Sequence, residues 1–225
     1  MNSIEEKVDF DDYVEKYEQL LSNQLSFFEK ERDYFSSYKI ELCARLMQKK
    51  PASILDFGCG IGLSLPELQR TFAGSTIYAS DISEKSVLEV TRRNPAVHAL
   101  TNGALEAYRF DLIYVATVIH HVAPPERPAL FQRLRQLLKP GGQLCIFEHN
   151  PWNPVTQRMV ADCPFDTDAV LVSLPALKRA LHDAGFRHFT AGYSLFFPGF
   201  IKALRPLENW MRWLPLGGQY YVVAH

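Results

Sequence analysis

The chain has 225 residues, of which 47% are apolar, 12% aromatic and 22% charged, a composition that fits an ordinary globular protein and excludes a disordered or low-complexity polymer. Twenty-four Lys plus Arg stand against twenty-five Asp plus Glu, a net charge of −1, so no overall field gathers polyanions and nucleic acid is disfavoured as the main partner. Cys43, Cys59, Cys145 and Cys163 form no CxxC, which argues against zinc-ribbon and thioredoxin chemistry and against a secreted disulfide scaffold.

The opening MNSIEEKVDFDD is acidic and lacks an apolar signal core, and no window reaches eighteen uninterrupted apolar residues, so the expected location is cytoplasmic. From Phe10, Tyr13, Val14, Tyr17, Leu20, Leu21, Leu25 and Phe28 recur at helical spacing, which predicts a first helix. Ser26 with Glu29 has capping-box spacing, and Tyr34, Phe35, Tyr38, Leu42, Leu46 and Met47 carry a second helix towards Pro51. After Pro51 the pattern changes to ASILDFG, a short apolar run ending in glycine that reads as a strand buried on both faces.

Helix and strand then alternate. Helices are expected at 64–72, opened by Ser64 with Glu67, at 83–93 behind Ser83, at 125–138 and at 175–184; strands at 76–80, 97–101, 111–117, 143–147, 188–195 and 219–224. Such alternation predicts an α/β fold, a doubly wound and mostly parallel sheet with right-handed crossovers and ligands at the strands' carboxyl ends. Residues 1–50 form a helical cap in this reading, and 51–225 a core with a lid-like insertion at 196–215.

Asp56-Phe57-Gly58-Cys59-Gly60-Ile61-Gly62 falls where the first strand meets the next helix. Glycines there let backbone turn and approach a ligand, and the helix N-terminus behind them suits an anionic group. Asp81, nineteen residues past Gly62, is placed to accept the hydrogens of ribose hydroxyls or to charge the N-terminus ahead of Ser83. In a dinucleotide fingerprint the third glycine would fall on Leu63; here it arrives one residue early, which disfavours NAD.

This Asp-x-Gly-x-Gly-x-Gly resembles motif I of the class I S-adenosylmethionine-dependent methyltransferases. The resemblance runs from Ile54 to Phe147, through ILDFGCGIG, the acid of YASDIS, FDLIYVATVIHHV and LLKPGGQLCIFEH. It implies a Rossmann-like seven-stranded sheet whose last strand is antiparallel, and S-adenosyl-L-methionine as cofactor. It sets Gly58, Cys59 and Gly60, with Asp56 opening the motif, against the methionine part. Asp81 then falls on the ribose, Ile82 against the adenine, and Ala116 and Thr117 on the cofactor's other side. Where the family often has an acid for the adenine amino group, this chain has Asn102, whose carbonyl can accept the same bond or serve an Asn-Gly turn.

Methyl transfer requires a positioned acceptor and, for a hydroxyl, a base. His149, directly after QLCIFE, is the best placed, with an ordinary imidazole pKa near 6.5; Glu148, as base or acceptor-orienting group, and His120 are the alternatives, and the family resemblance implies packing for His121. The Asn/Asp/Ser-Pro-Pro-aromatic tetrad of nucleobase amine methyltransferases is missing, since Ala123-Pro124-Pro125-Glu126 lacks both flanking types. No metal-ligand set is visible in the spacing. The acceptor pocket is expected to be closed by the N-terminal aromatics, by PWNPVTQRMVADCPFD, and by 196–215, where Trp210 and Trp213 accompany Lys202, Arg205 and Arg212. That last segment reads as a lid, a homodimer face or an interfacial helix at a membrane. The function expected is methyl transfer to oxygen or nitrogen of a small molecule, including secondary-metabolite or lipid- and sugar-linked acceptors. The competing classes are a non-catalytic nucleoside-binding protein and an NAD-dependent oxidoreductase.

Overall fold

Buried apolar runs too short for helices build the centre of the molecule. The structure, a computed structural model, describes residues 32–197 and 199–225; the first helix expected from Phe10 and the Ser26–Glu29 cap lie outside them. Strands β1 (Ser53–Phe57), β2 (Thr76–Ser80), β3 (His98–Leu100), β4 (Phe110–Ala116), β5 (Leu138–His149), β6 (Phe189–Ser194) and β7 (Gln219–Ala224) form one sheet of order β3-β2-β1-β4-β5-β7-β6. β1 runs parallel to both β2 and β4, and β7 alone runs antiparallel, to β5 and to β6. Strand order reverses between β1 and β4, the position where open α/β sheets form a ligand crevice.

Side chains alternate across the sheet, as the pleat requires. Leu55, Ile113, Val115, Ile146 and Val222 pack with Phe131, Leu134 and Leu137 of α4 (Arg127–Leu137) and Leu177 and Leu181 of α6 (Leu174–Asp183). On the other face Ile54, Leu112, Tyr114, Phe147 and Val223 meet α1 (Arg32–Leu46) through Ile40 and Cys43, α2 (Leu65–Thr71) through Leu65 and Leu68, and α3 (Glu84–Arg93) through Val90. Each such large side chain contributes about 1.5–3 kcal/mol on burial, which fixes the sheet as the rigid base for its carboxyl-end loops.

Three local readings change. Ser64 does not cap α2: it is itself helical, at φ −80° and ψ −21°, and its side chain makes no capping bond. Ser83 does cap α3, accepting from the Ser86 amide at 3.0 Å. β5 begins at Leu138 rather than Gln143, because the register shifts between Phe110 and Leu112 and lets Phe110 pair with Leu138. A helix the sequence reading passed over, α5 (Pro154–Ala161), opens on Asn153, which accepts from the Val155 and Thr156 amides at 2.9 and 3.0 Å. Asn-Pro at cap and first helical position was its available signal. The 196–215 segment contains a 3-10 stretch, Gly199–Leu207, and the short α7 (Glu208–Met211).

Candidate functional site

The loop after β1 turns by three positive-φ glycines, Gly58 at +73°, Gly60 at +51° and Gly62 at +83°. Gly58 is required by space as well, since a Cβ there would stand 2.5 Å from Val118 Cγ2. At Gly60 a Cβ would meet nothing within 4 Å among the described residues, so the loop's crest borders open space. The Gly58 and Cys59 amides donate to the Ser80 carbonyl at 2.8 and 3.1 Å, and the Gly60 amide donates to Asp81 Oδ2 at 2.8 Å. Asp81 Oδ1 accepts from the Ser83 amide at 2.9 Å. The acid after β2 therefore ties the glycine loop to the start of α3, and the side chain of Ile82 beside it is exposed.

Asp56 is buried beneath the loop, and its Oδ2 has no hydrogen-bond partner among the described residues. Burial, reinforced by the Asp81 carboxylate, pushes its carboxyl up to about 7, against the opposing pull of Lys39. Burial also brings the Lys39 ammonium down to about 8, while Glu148 and Asp56 pull it upward. α1 thus turns a cation towards the strand ends, a contribution for which the sequence carried no signal. Across the crevice Thr117 follows Ala116 at the end of β4 with φ +56°, a backbone state rare for a non-glycine residue and commonest at functional sites.

The ends of β4 and β5 hold an ionised cluster. Glu148 is wholly buried; its Oε1 accepts from the Val118 and Ile119 amides at 2.9 and 2.6 Å, and its Oε2 lies 2.7 Å from His120 Nδ1 and accepts from the His149 amide at 3.2 Å. Burial raises the Glu148 carboxyl, but His120 beside it prevails and holds it at about 2. Burial likewise disfavours the charged His120, yet Glu148 and Asp166 raise it to about 10. Both oxygens of the ionised Glu148 carboxylate are thus engaged, and the group holds the His120 ring in place. Breaking such a buried pair costs about 3–5 kcal/mol. Glu148→Gln should therefore lower the melting temperature by roughly 6–20 °C, and an unchanged thermal scan would remove the ion pair from the account.

His149 stays at the crevice, its ring 5.0 Å from that of His120. Burial, and then the neighbouring His120 charge, lower it to about 4, which replaces the ordinary imidazole value expected from the sequence. Asn102 lies on the exposed 3-10 turn Asn102–Ala107, where its side-chain oxygen accepts from Arg133 Nη1 at 2.7 Å and its main-chain oxygen from Nη2 at 2.7 Å. Sequence spacing also missed Asp166, whose Oδ1 lies 3.4 Å from His120 Nε2 and 3.3 Å from His121 Nε2. The loop after α5 delivers it from forty-five residues beyond His121, a distance no local motif spans. A cleft of about 760 Å³ lined by Gln132, Arg135, Lys139, Gly142 and His225 lies at the amino end of β5, away from these groups.

The architecture is that of a Rossmann-like α/β protein whose ligand face is the carboxyl edge of the sheet. A methyltransferase-domain family matches residues 28–190. The chain is 32% identical over 110 residues to the trans-aconitate 2-methyltransferase of Acidovorax sp. (strain JS42), covering 48% of this chain and 42% of that one. It is 32% identical over 113 residues to the malonyl-[acyl-carrier protein] O-methyltransferase of Halalkalibacterium halodurans, covering 45% of this chain and 41% of that one. The chain spans less than half the length of these curated relatives. A solved SAM-dependent methyltransferase from Archaeoglobus fulgidus superposes with a TM-score of 0.68 at 16% identity, over 92% of this chain and 98% of that one, a likeness of fold. The chain belongs to the class I S-adenosylmethionine-dependent methyltransferases.

The residues fit that family's cofactor. Open space at Gly60, an acid bonded to the loop crest, an exposed apolar side chain next to it and an unpartnered buried carboxylate oxygen on Asp56 together offer polar and apolar contacts to a nucleoside with an amino-acid arm. Among the described residues, no helix is long and apolar enough to cross a membrane.

Proposed function

We propose that this chain transfers a methyl group from S-adenosylmethionine to an oxygen or nitrogen of a small-molecule acceptor. The observation that carries the reading is the Gly60–Asp81 bond of 2.8 Å beside open space: it holds a carboxylate at the crest of a glycine loop, within reach of the hydroxyls of a ribose bound there. In this assignment Gly58, Cys59 and Gly60 border the methionine part with Asp56 beneath, Asp81 takes the ribose, Ile82 covers one face of the adenine, and Ala116 and Thr117 line the opposite side. When bound, the cofactor supplies a methyl group on a sulfonium, an electrophile that needs an aligned acceptor. His149 is the base for an acceptor that carries a proton, with His120 held beside it by Glu148.

Residues 196–215 close the acceptor side together with α1. Support comes from the Arg205 guanidinium, 3.5 Å above the Tyr34 ring, and from buried Glu208, whose Oε1 accepts from the Phe196 and Phe197 amides at 3.2 and 3.1 Å. Both named relatives carry acids in their names, trans-aconitate and malonyl-[acyl-carrier protein], so carboxylic acids are the first acceptors to try.

Calorimetry with S-adenosylhomocysteine and transfer of labelled methyl to an acceptor library test the two halves separately. Wild type should bind, and Gly60→Val should lose binding tenfold or more, because a β-branched side chain fills the open space at a positive φ. Gly60→Ala, with the same backbone strain and less bulk, should fall between. Equal binding in all three would remove the loop from the site, and binding without transfer to any acceptor would make the chain a nucleoside-binding protein.

A further inference from the structure

We propose that Nε2 of His120, Nε2 of His121 and Oδ1 of Asp166 form a binding site for a divalent transition-metal ion of the zinc type. The three ligand atoms lie within 4.8 Å of one another, and the carboxylate oxygen stands 3.4 and 3.3 Å from the two ring nitrogens. A tetrahedral shell with bonds of about 2.0–2.1 Å separates its ligand atoms by roughly 3.3–3.4 Å. The two nitrogen–oxygen edges have that length, and the nitrogen–nitrogen edge lies within 4.8 Å, so the ion would draw the two rings closer together to complete the shell.

The surroundings are built in the same sense. His120 Nδ1 lies 2.7 Å from Glu148 Oε2, the carboxylate–histidine arrangement that orients the ring; the ion would take the place of the proton that the charged ring carries on Nε2, so binding releases a proton. Glu148 is itself pinned by the Val118 and Ile119 amides. The Asp166 turn, Pro164–Asp166, is held against the pair by the Val170 amide, which donates to the His120 carbonyl at 2.8 Å. Asp168 Oδ1 lies 3.6 Å from His121 Nδ1, so each ring has a carboxylate on its Nδ1 side and presents Nε2 to Asp166. Three carboxylates, Glu148, Asp166 and Asp168, supply the negative charge a divalent ion needs. Two nitrogens and one oxygen leave a fourth position open, the pattern of an ion that exchanges a ligand rather than a closed structural site. Beside His149, such an ion would lower the pKa of a coordinated hydroxyl or water; that use rests on the methyl-transfer reading, whereas binding does not.

The test uses the whole chain stripped with a chelator, then titrated with Zn²⁺ alone in a calorimeter and with Co²⁺ alone in a spectrophotometer. Expected are one equivalent of Zn²⁺ per chain and the intense visible bands of tetrahedral Co²⁺. Asp166→Asn and His121→Asn should each abolish stoichiometric binding while S-adenosylhomocysteine affinity stays as in wild type, which shows that the variants are folded. His182→Asn, on α6 and outside the cluster, should change nothing. Absence of Zn²⁺ binding by wild type, or equal binding by wild type and both variants, would overturn the site and leave the cluster as a network of ion pairs. Failure to bind S-adenosylhomocysteine would count against the proposed function and not against the ion.

Discussion

Asp81→Ala should weaken binding of S-adenosylhomocysteine by about 3–6 kcal/mol, since two hydroxyl hydrogen bonds to a charged acceptor are each worth roughly 1.5–3 kcal/mol. The geometry adds a second route to the same loss, because Asp81 also accepts from the Gly60 and Ser83 amides and its removal loosens the loop and the entry to α3. The two routes separate with a ligand change. Wild type should bind a 2′-deoxy form of S-adenosylhomocysteine more weakly than the parent, while Asp81→Ala should treat the two alike, the non-additivity expected of groups in direct contact. A variant that still prefers the ribose form would place the sugar elsewhere and leave Asp81 as the brace of the loop.

The central fold was legible because its signals are local. ILDF, DLIYVA and QLCIF are apolar runs too short for helices, and a strand buried on both faces needs no alternation to announce it. Ser83 could be read as a cap because its bond to Ser86 spans three residues; Ser64 has the same composition around it, but the glycine loop delivers it already in helical backbone, and tertiary geometry decided the outcome. The site divides along the same line. Gly58, Gly60 and Asp81 sit at strand ends that the sequence fixes to within a residue. The charge state of His149 and the commitment of Glu148 depend on burial and on His120, Asp166 and Lys39 arriving from three other segments. Pairing of Asn102 with Arg133, thirty-one residues away, is equally invisible to spacing.

His149→Gln carries the other large expected effect. With a pKa held at about 4 by burial and by His120, the imidazole is neutral through the neutral range and free to accept a proton, though less basic than an ordinary imidazole, so it acts as base only where acceptor and methyl donor are already aligned. If it serves a hydroxyl acceptor, the glutamine variant should keep S-adenosylhomocysteine affinity and melting temperature yet lose roughly a hundredfold in turnover, the usual contribution of a positioned base. Glutamine approximates the ring's reach and polarity but has no basic nitrogen, so the loss should follow the acceptor's acidity. An acceptor that is already a carboxylate has no proton to give and should be methylated equally by both proteins, whereas a weakly acidic hydroxyl should show the full deficit. A deficit of the same size on both acceptors would assign His149 to positioning. Equal turnover on the hydroxyl would remove it from the chemistry and leave alignment of acceptor and methyl donor as the source of the rate.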